Sequence, residues 1–139
     1  HAANKLAFAV GFGGVRCADW PGGDEEGEAY QSFVRRAPPR WIPRYETVPL
    51  IVTGRLEKHR AASESWLQRQ GAKFDRLVMG PWESTQQRDQ NGEAGLLKGK
   101  VYADSPCWLF IESDELQSEL IFRTTKKPVL CATTGRILQ

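Results

Sequence analysis

The sequence has no long hydrophobic run, no closely spaced cysteine pair and no excess of one sign of charge. Its longest apolar stretches are about six residues, against the roughly 20 that a membrane-spanning helix needs, so no span is expected. The three cysteines, Cys17, Cys107 and Cys131, lie far apart without CxxC spacing, and the odd count argues against a disulfide framework. Reduced, intracellular thiols are expected, with Cys107 and Cys131 acting as small buried hydrophobes. The net charge of +2, with acids and bases interleaved, leaves no electrostatic footprint for nucleic acid. No repeat or low-complexity tract is visible. Residues 1–5 read as a tag remnant or terminal extension, and residues 5–11 are too short for the apolar segment of a leader. A cytoplasmic location is therefore expected.

What is present is an ordinary globular composition, 40% hydrophobic and 26% charged over 139 residues, enough for one domain with its own core. The spacing predicts strands at Leu6–Gly11, Pro49–Thr53, Arg76–Met79, Cys107–Glu112 and Pro128–Ala132. Each is nearly continuous in apolar residues, as a strand covered by helices on both faces must be, which points to a parallel sheet. A helix is predicted from Leu56 to Gln70, with Thr53 as its N-terminal cap, Gly71 beyond its end, and Leu56, Ser63, Trp66 and Leu67 as its buried stripe. A second runs from Glu115 to about Thr125, with Leu116, Leu120 and Ile121 inward. Alternating strands and helices make the fold class α/β, a three-layer sandwich. The domain is expected over 6–133, with 134–139 a C-terminal tail.

Two stretches interrupt this pattern. Residues 19–47 begin with the acidic cluster Asp24, Glu25, Glu26 and Glu28, read as a solvated loop. A short helix is predicted over Ala29–Arg36, followed by a Pro/Arg-rich run. Arg35, Arg36, Arg40, Trp41, Arg44 and Tyr45 mix cations with aromatics, as a single-strand nucleic-acid surface would, but the prolines favour a plain connection into the second strand. Residues 80–95 read as an irregular insertion with a short helix near Ser84–Asp89.

In an open parallel sheet, ligands sit beyond the C-terminal ends of the strands. Gly11, Phe12, Gly13 and Gly14 follow the first strand, and Thr53, Gly54 and Arg55 the second. Glu112, Ser113 and Asp114 end the fourth, with Lys98 and Lys100 shortly before it. A hydroxyl, a lysine and two acids on one edge suit a phosphate and a cation. Gly11–Gly14 is a poor nucleotide loop: Arg16 occupies the third glycine position of GxGxxG, and no Gly-Lys-Ser/Thr follows.

Ile51-Val52-Thr53-Gly54-Arg55, then Lys98, then Phe110-Ile111-Glu112-Ser113 resemble the second, third and fourth motifs of the haloacid dehalogenase-like superfamily. Together with Pro43-Arg44-Tyr45, Arg76-Leu77-Val78-Met79, Lys98-Gly99-Lys100-Val101-Tyr102 and Lys127-Pro128-Val129-Leu130-Cys131, they resemble most a bacterial subgroup that often accompanies a phosphoribosyltransferase. The similarity covers about Leu6 to Ala132 and is weakest over 80–95.

The resemblance implies a five-stranded parallel sheet of order 5-4-1-2-3, with little or no cap domain. It also implies Thr53 and Gly54 as phosphate binders, Lys98 as the charge-neutralising lysine, and Glu112 and Asp114 as what remains of a Mg²⁺ site. The family's first motif, Asp-x-Asp-Gly-Val/Thr, falls on Gly11-Phe12-Gly13-Gly14-Val15. Gly11 thus stands for the nucleophile and Gly13 for the general acid/base, and glycine performs neither task.

The expectation is a non-catalytic domain that binds a phosphate-bearing ligand or a partner such as a phosphoribosyltransferase domain, with no membrane or nucleic-acid role. Two alternatives stand beside it. One is an active Mg²⁺-dependent phosphohydrolase recruiting a carboxylate such as Asp19, Asp24 or Asp114; the other is a purely structural interaction module. Simpler roles compete at each position: Thr53 as a helix cap, Lys98 as a surface lysine, Glu112 and Asp114 as a polar strand end. His59 is expected exposed or partly buried, away from the pocket.

Overall fold

The apolar runs form the strands of one sheet in a computed structural model that describes residues 7–90 and 92–139. The strands are β1 (Phe8–Val10), β2 (Val48–Leu56), β3 (Phe74–Gly80), β4 (Leu109–Glu112), β5 (Val129–Cys131) and β6 (Ile137–Leu138). They lie in the order β3-β2-β1-β4-β5-β6. β1 to β5 pair in parallel, and β6 closes the edge antiparallel to β5. Where five strands were expected, the described residues form six. Ile137 and Leu138, placed in a tail by the sequence, pair with Leu130 and Val129. Residues 1–5 and Leu6 lie outside the described residues.

Alternation along the central strands divides the core in two. Phe8, Val10 and Ile51 face one layer with Trp66, Leu67, Leu77 and Met79. Ala9, Leu50, Val52 and Phe110 face the other with Tyr102, Ile121 and Val129. Helices α1 (Glu28–Arg36) and α2 (Arg60–Arg69) cover the first face. The pair α4 (Glu93–Ala103) and α5 (Glu115–Thr125) covers the second, and the short α3 (Thr85–Asp89) precedes α4. This is the α/β class expected, and no described helix is long and apolar enough to cross a membrane.

Several local expectations are corrected. β2 runs on to Leu56 and a 3₁₀ turn follows at Glu57–His59, so α2 starts at Arg60 with His59 at its cap position. Thr53 therefore lies within the strand and caps no helix. Gly71, with φ +72, does follow the end of α2, and the buried stripe of Ser63, Trp66 and Leu67 is present. In α5 the buried positions are Ser118 and Ile121. Leu116 precedes Ser118 by two residues, about 200° around the helix, and is 78% exposed rather than inward.

In the stretch 80–95 the short helix expected near Ser84–Asp89 is α3, and the unexpected element is α4, which begins at Glu93. Lys98 thus sits on a helix. Gly95 and Gly99 admit α5 closely: a Cβ at Gly95 would lie 2.8 Å from Leu120, and one at Gly99 3.3 Å from Thr124.

Candidate functional site

β1 and β4 end side by side, with Val10 in register with both Ile51 and Ile111, while β2 runs on past them to Leu56. Beyond β1 the chain turns tightly: the Arg16 amide donates to the Phe12 carbonyl at 2.8 Å and the Gly14 amide to the Cys17 carbonyl at 2.8 Å. Gly14 has φ +78, and a Cβ there would collide with the Ser113 side chain, so both conformation and space require glycine. Ser113 Oγ ties this turn to the end of β4 by donating to the Gly13 carbonyl at 3.1 Å. In β2 the register breaks between Val52 and Leu56. Such a break re-aims side chains, and Thr53, Gly54 and Arg55 fall within it.

These loops enclose a cavity of about 330 Å³ whose wall includes Gly13, Thr53, Gly54, Lys98, Glu112 and Asp114. All four side-chain positions expected from the sequence therefore meet in one place. Gly11 does not line the cavity but lies against Glu112, which does: a Cβ on Gly11 would sit 3.1 Å from Glu112 Oε1. Lys100 is exposed on α4 and does not line the cavity.

The lysine and the glutamate neutralise each other. Lys98 Nζ donates to Glu112 Oε1 at 2.9 Å and to Gln117 Oε1 at 2.7 Å. Both charged side chains are buried. The other carboxylate oxygen, Glu112 Oε2, accepts from the Ser113 and Asp114 amides, each at 3.1 Å. Asp114 is exposed and caps α5, Oδ1 accepting from the Gln117 amide at 2.8 Å.

Sequence reasoning gave four contributors to the wall, Arg55, Arg88, Trp20 and Tyr30, no role in the site. Arg55 is 7% exposed; it donates to Ser63 Oγ at 2.9 Å and lies 4.4 Å over the Phe12 ring. Among the described residues no carboxylate pairs with it. Its position just past the apolar part of β2 was the available signal. Arg88, from α3, donates to Glu25 at 3.1 and 2.8 Å, to Asp89 and to the Gly54 carbonyl. Burial pulls the Arg88 guanidinium down, but hydrogen bonds to Glu25 and Asp89 outweigh it and hold the group above its ordinary value. No local pattern signalled this long-range contact. Trp20 and Tyr30 pack edge to face with centroids 5.2 Å apart, and the Trp20 Nε1–H is buried with no partner among the described residues. Burial raises the Tyr30 phenol above its usual range.

Asp19 completes the wall. Its Oδ1 lies 3.4 Å from where a Cβ on Gly13 would be. Gly11 and Gly13 therefore each have a carboxylate from elsewhere in the chain beside them, Glu112 at Gly11 and Asp19 at Gly13. Asp24 does not line the cavity; it turns back to accept from the Glu26 amide at 2.8 Å. His59 is half-buried against Tyr30, outside this cavity, and burial lowers its imidazole below the ordinary value.

Mg²⁺ prefers near-octahedral oxygen ligation and commonly takes one or two carboxylates. The residues present do not fit it. Glu112 is engaged through both oxygens, Asp114 caps a helix, and Gly11 and Gly13 offer no side chain. Among the described residues no three acids, histidines or cysteines are grouped to hold a metal. No family model matches the chain, and neither the curated proteins nor the solved structures contain a significant match.

Proposed function

We propose that this chain is a haloacid dehalogenase-like domain that binds a phosphate-bearing ligand and does not hydrolyse it. The observation that carries the proposal is the convergence of Thr53, Gly54 and Lys98 on the cavity that also exposes Gly13. The order of the five parallel strands, read from β5 as 5-4-1-2-3, supports the family resemblance. The binding groups are the Thr53 hydroxyl, the Lys98 ammonium and the Arg55 guanidinium. The cavity lies within the size range of small-ligand pockets.

Hydrolysis through an aspartyl-phosphate requires a nucleophilic carboxylate at the first-strand loop. Glu112 lies near that place, but its oxygens are held by Lys98 and two amides. A nucleophile needs an available lone pair aimed at phosphorus, and these bonds oppose attack. A panel of phosphomonoesters screened by thermal shift tests the proposal. Stabilisation that Thr53→Ala and Lys98→Ala both remove is expected; stabilisation unchanged in both would overturn it.

A second reading rests on Asp19. A carboxylate beside Gly13 is placed to exchange a proton with a leaving group, so an active phosphohydrolase with a relocated acid/base follows from the same geometry. Phosphomonoester turnover abolished by Asp19→Asn would establish this reading in place of the first. A phosphoribosyltransferase domain as partner remains an expectation of the resemblance.

A further inference from the structure

We infer that the cavity binds its phosphate group without a divalent cation, with the chain's own cations balancing the charge. The inference rests on the anion-binding role proposed above and adds how that anion is neutralised. Three observations carry it. First, Glu112, the buried acid nearest Gly11, makes an ion pair with Lys98 and accepts two amide N–H bonds, so its oxygens are committed to the protein. A cation bound there would displace a buried lysine and break that pair. Second, Arg55 brings into the wall a guanidinium, 7% exposed, that no described carboxylate neutralises. A buried charge of this kind is costly unless paired, and an incoming phosphate supplies the missing partner. Third, neutral donors remain in the wall. Trp20 Nε1–H has no partner among the described residues, and Gln117 accepts from Lys98 through Oε1, leaving its amide NH₂ to donate.

The carboxylates of the wall are accommodated within this scheme. Glu25 and Asp89 are paired with Arg88, Glu112 with Lys98, and Asp114 caps α5. Asp19 is exposed, where solvent screens it. The anion's place is therefore on the Thr53–Arg55–Lys98 side of the cavity.

Isothermal titration of inorganic phosphate, run in EDTA and again in Mg²⁺, tests this directly. Equal affinity in the two buffers is expected. Binding in Mg²⁺ alone would overturn the inference while leaving the anion site intact, and no binding in either buffer would overturn both. Two variants add readouts whose sign is diagnostic. Arg55→Lys keeps the charge and loses the fork, and a weakening of roughly tenfold or more in EDTA is expected. Glu112→Gln removes a negative charge and releases Lys98, so phosphate should bind more tightly in EDTA; weaker binding, with folding verified by circular dichroism, would contradict the scheme. Should Glu112→Gln fail to fold, Gln117→Leu replaces it. Removing the neutral donor that also holds Lys98 should weaken phosphate binding equally in both buffers, and a loss seen only in Mg²⁺ would overturn the inference.

Discussion

Replacing Lys98 by methionine removes the positive half of a buried pair whose side chains are 9% and 3% exposed. The Glu112 carboxylate is then left in the interior with its two amide donors at 3.1 Å. Breaking a buried ion pair at one end typically costs about 3–5 kcal/mol. The surviving amide bonds place Lys98→Met toward the lower figure, about 3 kcal/mol. Unfolding entropy of about 2.1 cal/mol/K per residue over 139 residues converts each kcal/mol to about 3.4 °C, so Tm should fall by about 10 °C. Urea unfolding at neutral pH measures the free energy directly. The double variant Lys98→Met with Glu112→Leu replaces both charges by apolar groups and should return to within about 1 kcal/mol of the parent. A single-variant loss below about 1 kcal/mol would refute the burial argument. A double variant as unstable as the single would show that the loss comes from packing.

Further predictions concern the glycines, the histidine and the thiols. Gly11→Asp places a second carboxylate against Glu112 in competition for Lys98 and should cost about 1–3 kcal/mol. Gly13→Asp meets only Asp19, at 3.4 Å, and should cost less than about 1 kcal/mol; equal losses in urea unfolding would contradict the geometry. The His59 imidazole is lowered from 6.5, first by burial and then by the charges of Lys58 and Arg55. Just below 6.5 the unfolded chain binds more protons than the folded one, so stability is lost as pH is lowered and levels off once the lower folded value is passed. His59→Gln should flatten that slope, and an unchanged pH profile of the urea midpoint would count against it. All three cysteines are free and buried, and burial holds the Cys17 thiol above its ordinary value. Ellman's reagent should label none of them within minutes in the native state and all of them in denaturant; fast native labelling would contradict the burial.

The parts of the fold legible in the sequence were those written in hydrophobic pattern. Five apolar runs became β1 to β5, and the helix expected from Glu115 to about Thr125 is α5. α4 went unseen because Gly95 and Gly99 lower helix propensity. Their purpose, close approach to Leu120 and Thr124 on α5, exists only in three dimensions. Leu116 was misplaced because α5 presents Ser118 and Ile121 to the core, and a small polar residue on the inward stripe disguises its phase. At the site, Thr53, Glu112 and Asp114 were legible because they lie in or just past strands whose apolar runs were visible, whereas Lys98, on α4, was singled out only by the motif order of the resemblance. The partners of those residues were not legible. That Lys98 meets Glu112 and that Arg88 reaches Glu25, 63 residues away, depends on how helices pack above the sheet edge.

The central claim is a pocket that holds a phosphate without reacting with it, and one ³¹P NMR experiment reads both halves. Phenyl phosphate is incubated with the protein in Mg²⁺-containing buffer and followed over hours. A phenyl phosphate signal that broadens or shifts in proportion to protein, with no growth of inorganic phosphate, is the predicted result. A growing inorganic phosphate signal, or a phenyl phosphate signal indifferent to protein, would contradict it.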